Sequence, residues 1–158
     1  GMTQPSSAGM IELAVDGAPT GINRRSGICT AFRFDLSALS GQAIERAIVE
    51  LEIPNLAQDT FDFEILEINT DWNSGTQTSV PDGNIVRIPS GAWRVTPMDL
   101  ERDPAGRIRF DVTILAREWV SGVRTNHGLA IVSARVSPQV LESRLNLARM
   151  QIHYRRGD

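Results

Sequence analysis

The sequence predicts an all-β fold: an antiparallel β-sandwich of jelly-roll type with one short helix near residues 114–121. Three observations predict it. Short runs alternate apolar and polar residues with a period of two, as a strand with one buried face requires. Gly, Pro, Asn and Asp cluster between these runs and mark turns. Once the period changes, because Leu115 and Trp119 stand four apart and share a helical face.

Residues 1–9 are rich in Ser, Pro and Gly and are expected to form a flexible tail, with Gly1-Met2 an expression scar ahead of a native start. A single domain then covers residues 10–156. Ile11, Leu13 and Val15 alternate with Met10, Glu12 and Ala14, and Asp16-Gly17 follows as a tight-turn dipeptide. Phe32, Phe34 and Leu36 face inward, with Arg33 and Asp35 outward. Val49, Leu51 and Ile53 repeat the pattern, with Glu50 and Glu52 outward, until Pro54-Asn55 stops it. Phe61, Phe63 and Ile65 form another inward row. The parity then slips, since Leu66 and Ile68 are apolar and Glu67 is not. One extra residue turns every later side chain to the opposite face, so a β-bulge is expected near Ile65-Leu66.

Residues 69–83 read as a long polar loop ending in Pro81-Asp82-Gly83. Ile85, Val86 and Ile88 make a short strand, and Trp93 to Val95 another. Asp103-Pro104-Ala105-Gly106 is a turn, with proline fixing φ and glycine free to take positive φ. Ile108, Phe110 and Val112 point inward. Thr113 is placed as N-cap of the helical turn, and Gly122 as its end. Leu129 to Val132 is apolar on both faces, which marks a central strand. Along the last strand Ala148, Met150, Ile152 and Tyr154 face inward, while Leu147, Arg149, Gln151 and His153 face out.

The totals exclude several functions. A net charge of -3 does not suit a nucleic-acid partner, because neutralising phosphates needs a basic surface. All 16 basic residues are arginine, which removes Schiff-base and P-loop lysine chemistry. Cys29 is the only cysteine and sits in an apolar run, so it reads as a buried structural thiol. No stretch approaches the roughly 18 apolar residues of a membrane span, and no export signal is visible.

Several motifs in order resemble the DNRLRE domain family, modules of bacterial and archaeal surface proteins sometimes classed as carbohydrate-binding modules. They are Phe32-Arg33-Phe34-Asp35-Leu36-Ser37, Ile44 through Leu51, Asp71-Trp72-Asn73, Phe110-Asp111-Val112-Thr113 with Trp119 and Gly122, Asn126-His127-Gly128-Leu129, and Ser143-Arg144. The resemblance covers residues 28–154. It departs at Leu145, where a glutamate is usual, so Arg144 needs another partner. The resemblance implies a non-catalytic module at an extracellular or cell-surface location.

Candidate ligand-binding residues are Trp72, Asn73, Trp93 and Arg94. Both indoles lie in turn-rich segments, where an exposed ring can stack on a sugar face while arginine or asparagine fixes hydroxyls. Packing at the sandwich ends is the competing account of both. Asn69, Asp71 and Asn73 form an oxygen-rich loop of the kind calcium prefers, but the EF-hand spacing fails, and no metal or other cofactor is expected. Asp35, Ser37, Asp111, Thr113, Asn126 and Gly128 are explained by caps and turns, and Trp119 by core packing. Glu50 with Glu52, and Asp62 with Glu64, are spaced about 7 Å apart, near what an inverting glycosidase needs. Neither pair has an apolar pocket to tune it, so no enzyme activity is expected. The expected function is therefore a non-catalytic module that binds carbohydrate or another extended polar ligand. The alternative is a structural or assembly domain of a bacterial surface or phage appendage.

Overall fold

The computed structural model describes residues 8–54, 59–75 and 78–156. It is mostly β, with two sheets. One sheet has the order β1 (Ala8–Ala14), β10 (Arg149–Arg156), β4 (Gln42–Glu52), β8 (Arg107–Asp111). The other has the order β6 (Thr78–Ser79), β2 (Thr20–Arg24), β3 (Gly27–Phe32), β9 (Leu129–Val132), β5 (Phe61–Ile68), β7 (Ile85–Val95). All neighbours are antiparallel except β2 and β6. Ala8 and Gly9, expected in the tail, open β1; Gly1-Met2 and Asn55 lie outside the described residues.

Alternation places the core. Val49, Leu51, Phe110 and Met150 of the first sheet join Phe32, Phe63 and Ile131 of the second in one buried cluster. The intervening residues of β4 and β8 face solvent and are laddered. Glu50 pairs with Arg109 at 2.7 Å and Glu52 with Arg107 at 3.3 Å, each across the strand register. Exposed pairs of this kind contribute about 0–1 kcal/mol each, so apolar burial dominates.

The parity slip in β5 has a different cause from the one expected. Glu64 to Glu67 pair with β9 without interruption, so β5 carries no extra residue. Leu66 and Ile68 turn away from the main core into a second buried cluster with Ile22, Cys29 and Trp72, on the other face of the six-stranded sheet. The register does shift between Glu64 and Leu66, but on the neighbouring strand: β7 passes from Ala92 to Arg87 across that gap and bulges out over residues 88–91. The two short strands expected at Ile85–Ile88 and Trp93–Val95 are the two arms of this one strand. Cys29 is buried, as expected, and burial pushes its thiol pKa up.

Among the described residues three α-helices are present rather than one, with two single 3-10 turns besides. α2 (Thr113–Ser121) is the expected one, packed on β4 through Leu115, Ala116 and Trp119, all buried. Gly122 ends it in the left-handed conformation, φ 81°. Its N-terminus differs from the expectation. Val112 holds the N-cap position, and the capping side chain is Asp111, which accepts from Thr113 N at 2.9 Å and Thr113 Oγ1 at 2.6 Å. The Thr113 hydroxyl meanwhile accepts from Ala47 N, tying the turn to β4. α1 (Pro97–Arg102) starts at a Thr96–Asp99 capping box with proline at the first turn, and α3 (Pro138–Leu145) at Ser137.

Asp35 repeats the Asp111 device, its carboxylate accepting from Ser37 N at 2.9 Å. Hydrogen bonds hold the pKa values of Asp35, Asp99 and Asp111 below the usual 3.8. A depressed carboxylate stabilises the fold above its unfolded pKa and loses that contribution as pH falls through its folded pKa. Urea midpoints are therefore expected to fall as pH drops below about 4, and Asp111→Asn is expected to flatten that slope. An unchanged slope in the variant would remove Asp111 from the account.

Candidate functional site

Trp72, one of the two candidate indoles, lies in the second buried cluster and is 4% exposed. Its Nε1 donates to the His127 carbonyl at 2.6 Å, and the Arg33 guanidinium stacks on its ring at 4.6 Å. The ring thus fills the packing position weighed against binding, with no free face for a sugar. Neighbouring Asn73 is exposed. In the oxygen-rich loop, Asn69 donates its backbone N–H to Asn84 O at 2.8 Å, and Asp71 lies 3.1 Å from His127 Nδ1. Among the described residues no group of three or more His, Cys, Asp or Glu side chains could hold a metal ion.

The Asn126-His127-Gly128 segment clasps this region. Asn126 Nδ2 donates to Phe34 O at 2.8 Å, and its Oδ1 accepts from Gly128 N at 3.0 Å. The Phe32-to-Ser37 and Asn126-to-Leu129 motifs are therefore in direct contact. At Ser143-Arg144, Leu145 is fully buried in the main core, and no carboxylate lies within ion-pair distance of Arg144 among the described residues.

Trp93 differs from Trp72. It stands on β7 opposite Phe63, packs edge-on against Phe110 at 6.4 Å, and is 37% exposed. With Arg94, Asp99, Arg102, Arg107 and Arg109 it lines a groove of about 220 Å³ where the edges of β7 and β8 meet. Arg94 is held by Asp62 at 2.7 Å. The two indoles do not form one platform: from Phe63 to Ile68 β5 already rises about 17 Å, and Trp72 follows beyond its far end.

The paired carboxylates considered for hydrolysis are all engaged by arginines. Glu50 and Glu52 are taken as above, Asp62 by Arg94, and Glu64 by Arg87 at 3.0 Å.

A larger cleft of about 540 Å³ opens beside the β7 bulge, against α2. Val86, Ile88, Pro89, Ile114 and Leu115 form its apolar lining. Glu67, Arg87, Asp111, Glu118 and Arg124 supply its charge. Glu67 is 7% exposed, and Arg124 Nη1 donates to both its carboxylate oxygens at 2.8 and 3.1 Å, while Arg124 Nε binds Glu118. None of these residues stands out in the sequence as a site. The available signal was Glu67, a charge between two residues of an apolar run.

Compared with known proteins, the chain matches no family model and no curated protein. Among the described residues no helix is long and apolar enough to cross a membrane.

Proposed function

We propose that the chain is a non-catalytic β-sandwich module of jelly-roll type, of the DNRLRE kind, that binds carbohydrate or another extended polar ligand across Trp93. Two sheets sharing one core support the architecture. The observation that carries the binding reading is the half-exposed Trp93 indole, set among Arg94, Arg107 and Arg109. The ring offers an apolar face and the arginines offer hydrogen-bond donors, the combination that recognises sugar hydroxyls above a hydrophobic ring face. Trp72 is buried under Arg33 and offers no ring face to a ligand.

A glycan array with the purified protein tests this. The expected result is a defined set of hits whose affinity falls about thirtyfold in Trp93→Ala, the effect of losing about 2 kcal/mol at an aromatic hot spot. The absence of hits, or unchanged affinity in the variant, overturns it.

A second reading, a structural or assembly domain without a small ligand, is favoured by one feature. Among the described residues β1 pairs with β10 alone, so its outer edge is open, with Met10 exposed. An unprotected edge strand is a template for pairing with another chain. Size-exclusion chromatography with light scattering separates the readings, because a strict monomer at high concentration removes the second.

A further inference from the structure

We propose that β1 is a dimerisation strand, which pairs antiparallel with β1 of a second copy of this chain. The proposal rests on the assembly reading and supplies its partner. Among the described residues the two sheets end in β1, β8, β6 and β7, and all of these edges but β1 are protected. β6 is only two residues long. β7 bulges over residues 88–91. β8 is met by β7, with Ser90 Oγ donating to Asp111 O at 2.6 Å and Trp93 packed on Phe110. Short strands, bulges and covered edges keep a sheet from pairing with other chains. β1 has none of these devices. It runs against β10 without a shift in register, and Ala8–Ala14 contains no proline, lysine or arginine.

The inward face of this edge is unfinished. Ile11, Leu13 and Tyr154 pack against the main core yet stay partly exposed, and among the described residues no strand pairs with the outer side of β1. The Tyr154 ring lies over Gly9, where a Cβ would come within 2.6 Å of it. One more strand would cover this apolar rim and remove it from water.

The order of residues in β1 commits the edge to a second copy, because the strand is complementary to itself. Residues directly opposite in an antiparallel pair point to the same face. With Ile11 on a two-fold axis, Ile11 meets Ile11, Gly9 meets Leu13, Met10 meets Glu12 and Ala8 meets Ala14. Leu13 of the second copy then comes beside Gly9, against the Tyr154 ring, on the inward face. On the outward face Glu12, the one charge in the strand, meets a neutral side chain. A shift of two residues either way keeps the faces but pairs fewer residues, and one of those shifts sets Glu12 against Glu12. β8, beside the Trp93 groove, is the opposite edge of the same sheet, so pairing through β1 leaves both grooves open.

Sedimentation equilibrium of the purified chain at low ionic strength, with two substitutions at one position, tests this. The wild type is expected to be a reversible dimer. Met10→Glu sets two pairs of like charges directly opposite each other across the axis and should weaken the dimer about tenfold. Met10→Lys sets each new cation against Glu12 of the second copy and should leave the dimer as tight as wild type or tighter. The gap between the variants should narrow as salt is added. Met10 is 53% exposed, so neither change threatens the fold of one copy. Trp93→Ala should leave the dimer intact, which keeps this test independent of the groove. A chain still monomeric at about 1 mM overturns both this proposal and the assembly reading. A dimer that ignores both Met10 variants, or that Met10→Lys weakens as much as Met10→Glu, overturns this proposal alone.

Discussion

Trp72→Ala is expected to lower the unfolding free energy by about 3–5 kcal/mol, the range for truncating a large buried aromatic. The ring is 4% exposed and closes the second cluster over Ile22, Cys29, Leu66 and Ile68. Its removal also strands the His127 carbonyl, whose indole donor lies at 2.6 Å, and takes away the surface on which Arg33 is stacked. Trp72→Phe separates these contributions. It keeps most of the apolar volume and loses the N–H, so it should cost about 1–3 kcal/mol, the penalty for an acceptor left unpaired. Urea unfolding followed by circular dichroism gives the order: wild type, then Phe, then Ala. A surface platform for a ligand would behave otherwise, with both variants within about 0.5 kcal/mol of wild type.

The contrast between Trp72 and Trp93 shows what sequence could and could not convey. In sequence both have turn-rich surroundings, and composition does not report the depth of a side chain. Depth is set by tertiary partners: the His127 carbonyl for Trp72, the meeting edges of β7 and β8 for Trp93. Strands with one buried face were legible because Val49, Leu51 and Ile53 keep a strict period of two. α2 was legible because Leu115 and Trp119 break that period and both become buried. α1 was not legible from periodicity because it buries no residue, and a helix without an apolar stripe has no pattern to read. Thr96-Pro97 with Asp99, a capping box with proline at the first turn, was its remaining signal, and Ser137-Pro138 was the corresponding one for α3. The slip at Ile65-Leu66 has two physical solutions, an inserted residue or a second buried face. Period alone does not choose between them. The same ambiguity hid Glu67, a charge inside an apolar run whose partner, Arg124, lies 57 residues away in the chain.

Gly128→Ala is expected to cost about 2–4 kcal/mol, from left-handed strain and a steric clash together. Gly128 has φ +83°, where a side chain is disfavoured, and a Cβ there would lie 2.5 Å from the Phe32 carbonyl oxygen and 3.3 Å from Arg33. Neither obstacle is a flexible side-chain tip. Both are backbone or base-of-chain atoms of the segment that leaves β3, so relief requires moving β9 away from β3, where Leu129 and Phe32 are paired. The effect should therefore extend beyond the substituted residue. Asn126 would lose its hold on Phe34 O and Gly128 N, and the His127 carbonyl would shift from the Trp72 indole. Because these contacts share one clasp, the double variant Gly128→Ala with Trp72→Ala should lose less than the sum of the two single losses. The coupling is expected at about 0.5–3 kcal/mol, as for residues in one hydrogen-bonded network. Simple additivity within about 0.5 kcal/mol would show that the clasp does not act as a unit, and Gly128 would then be a local requirement of its turn alone.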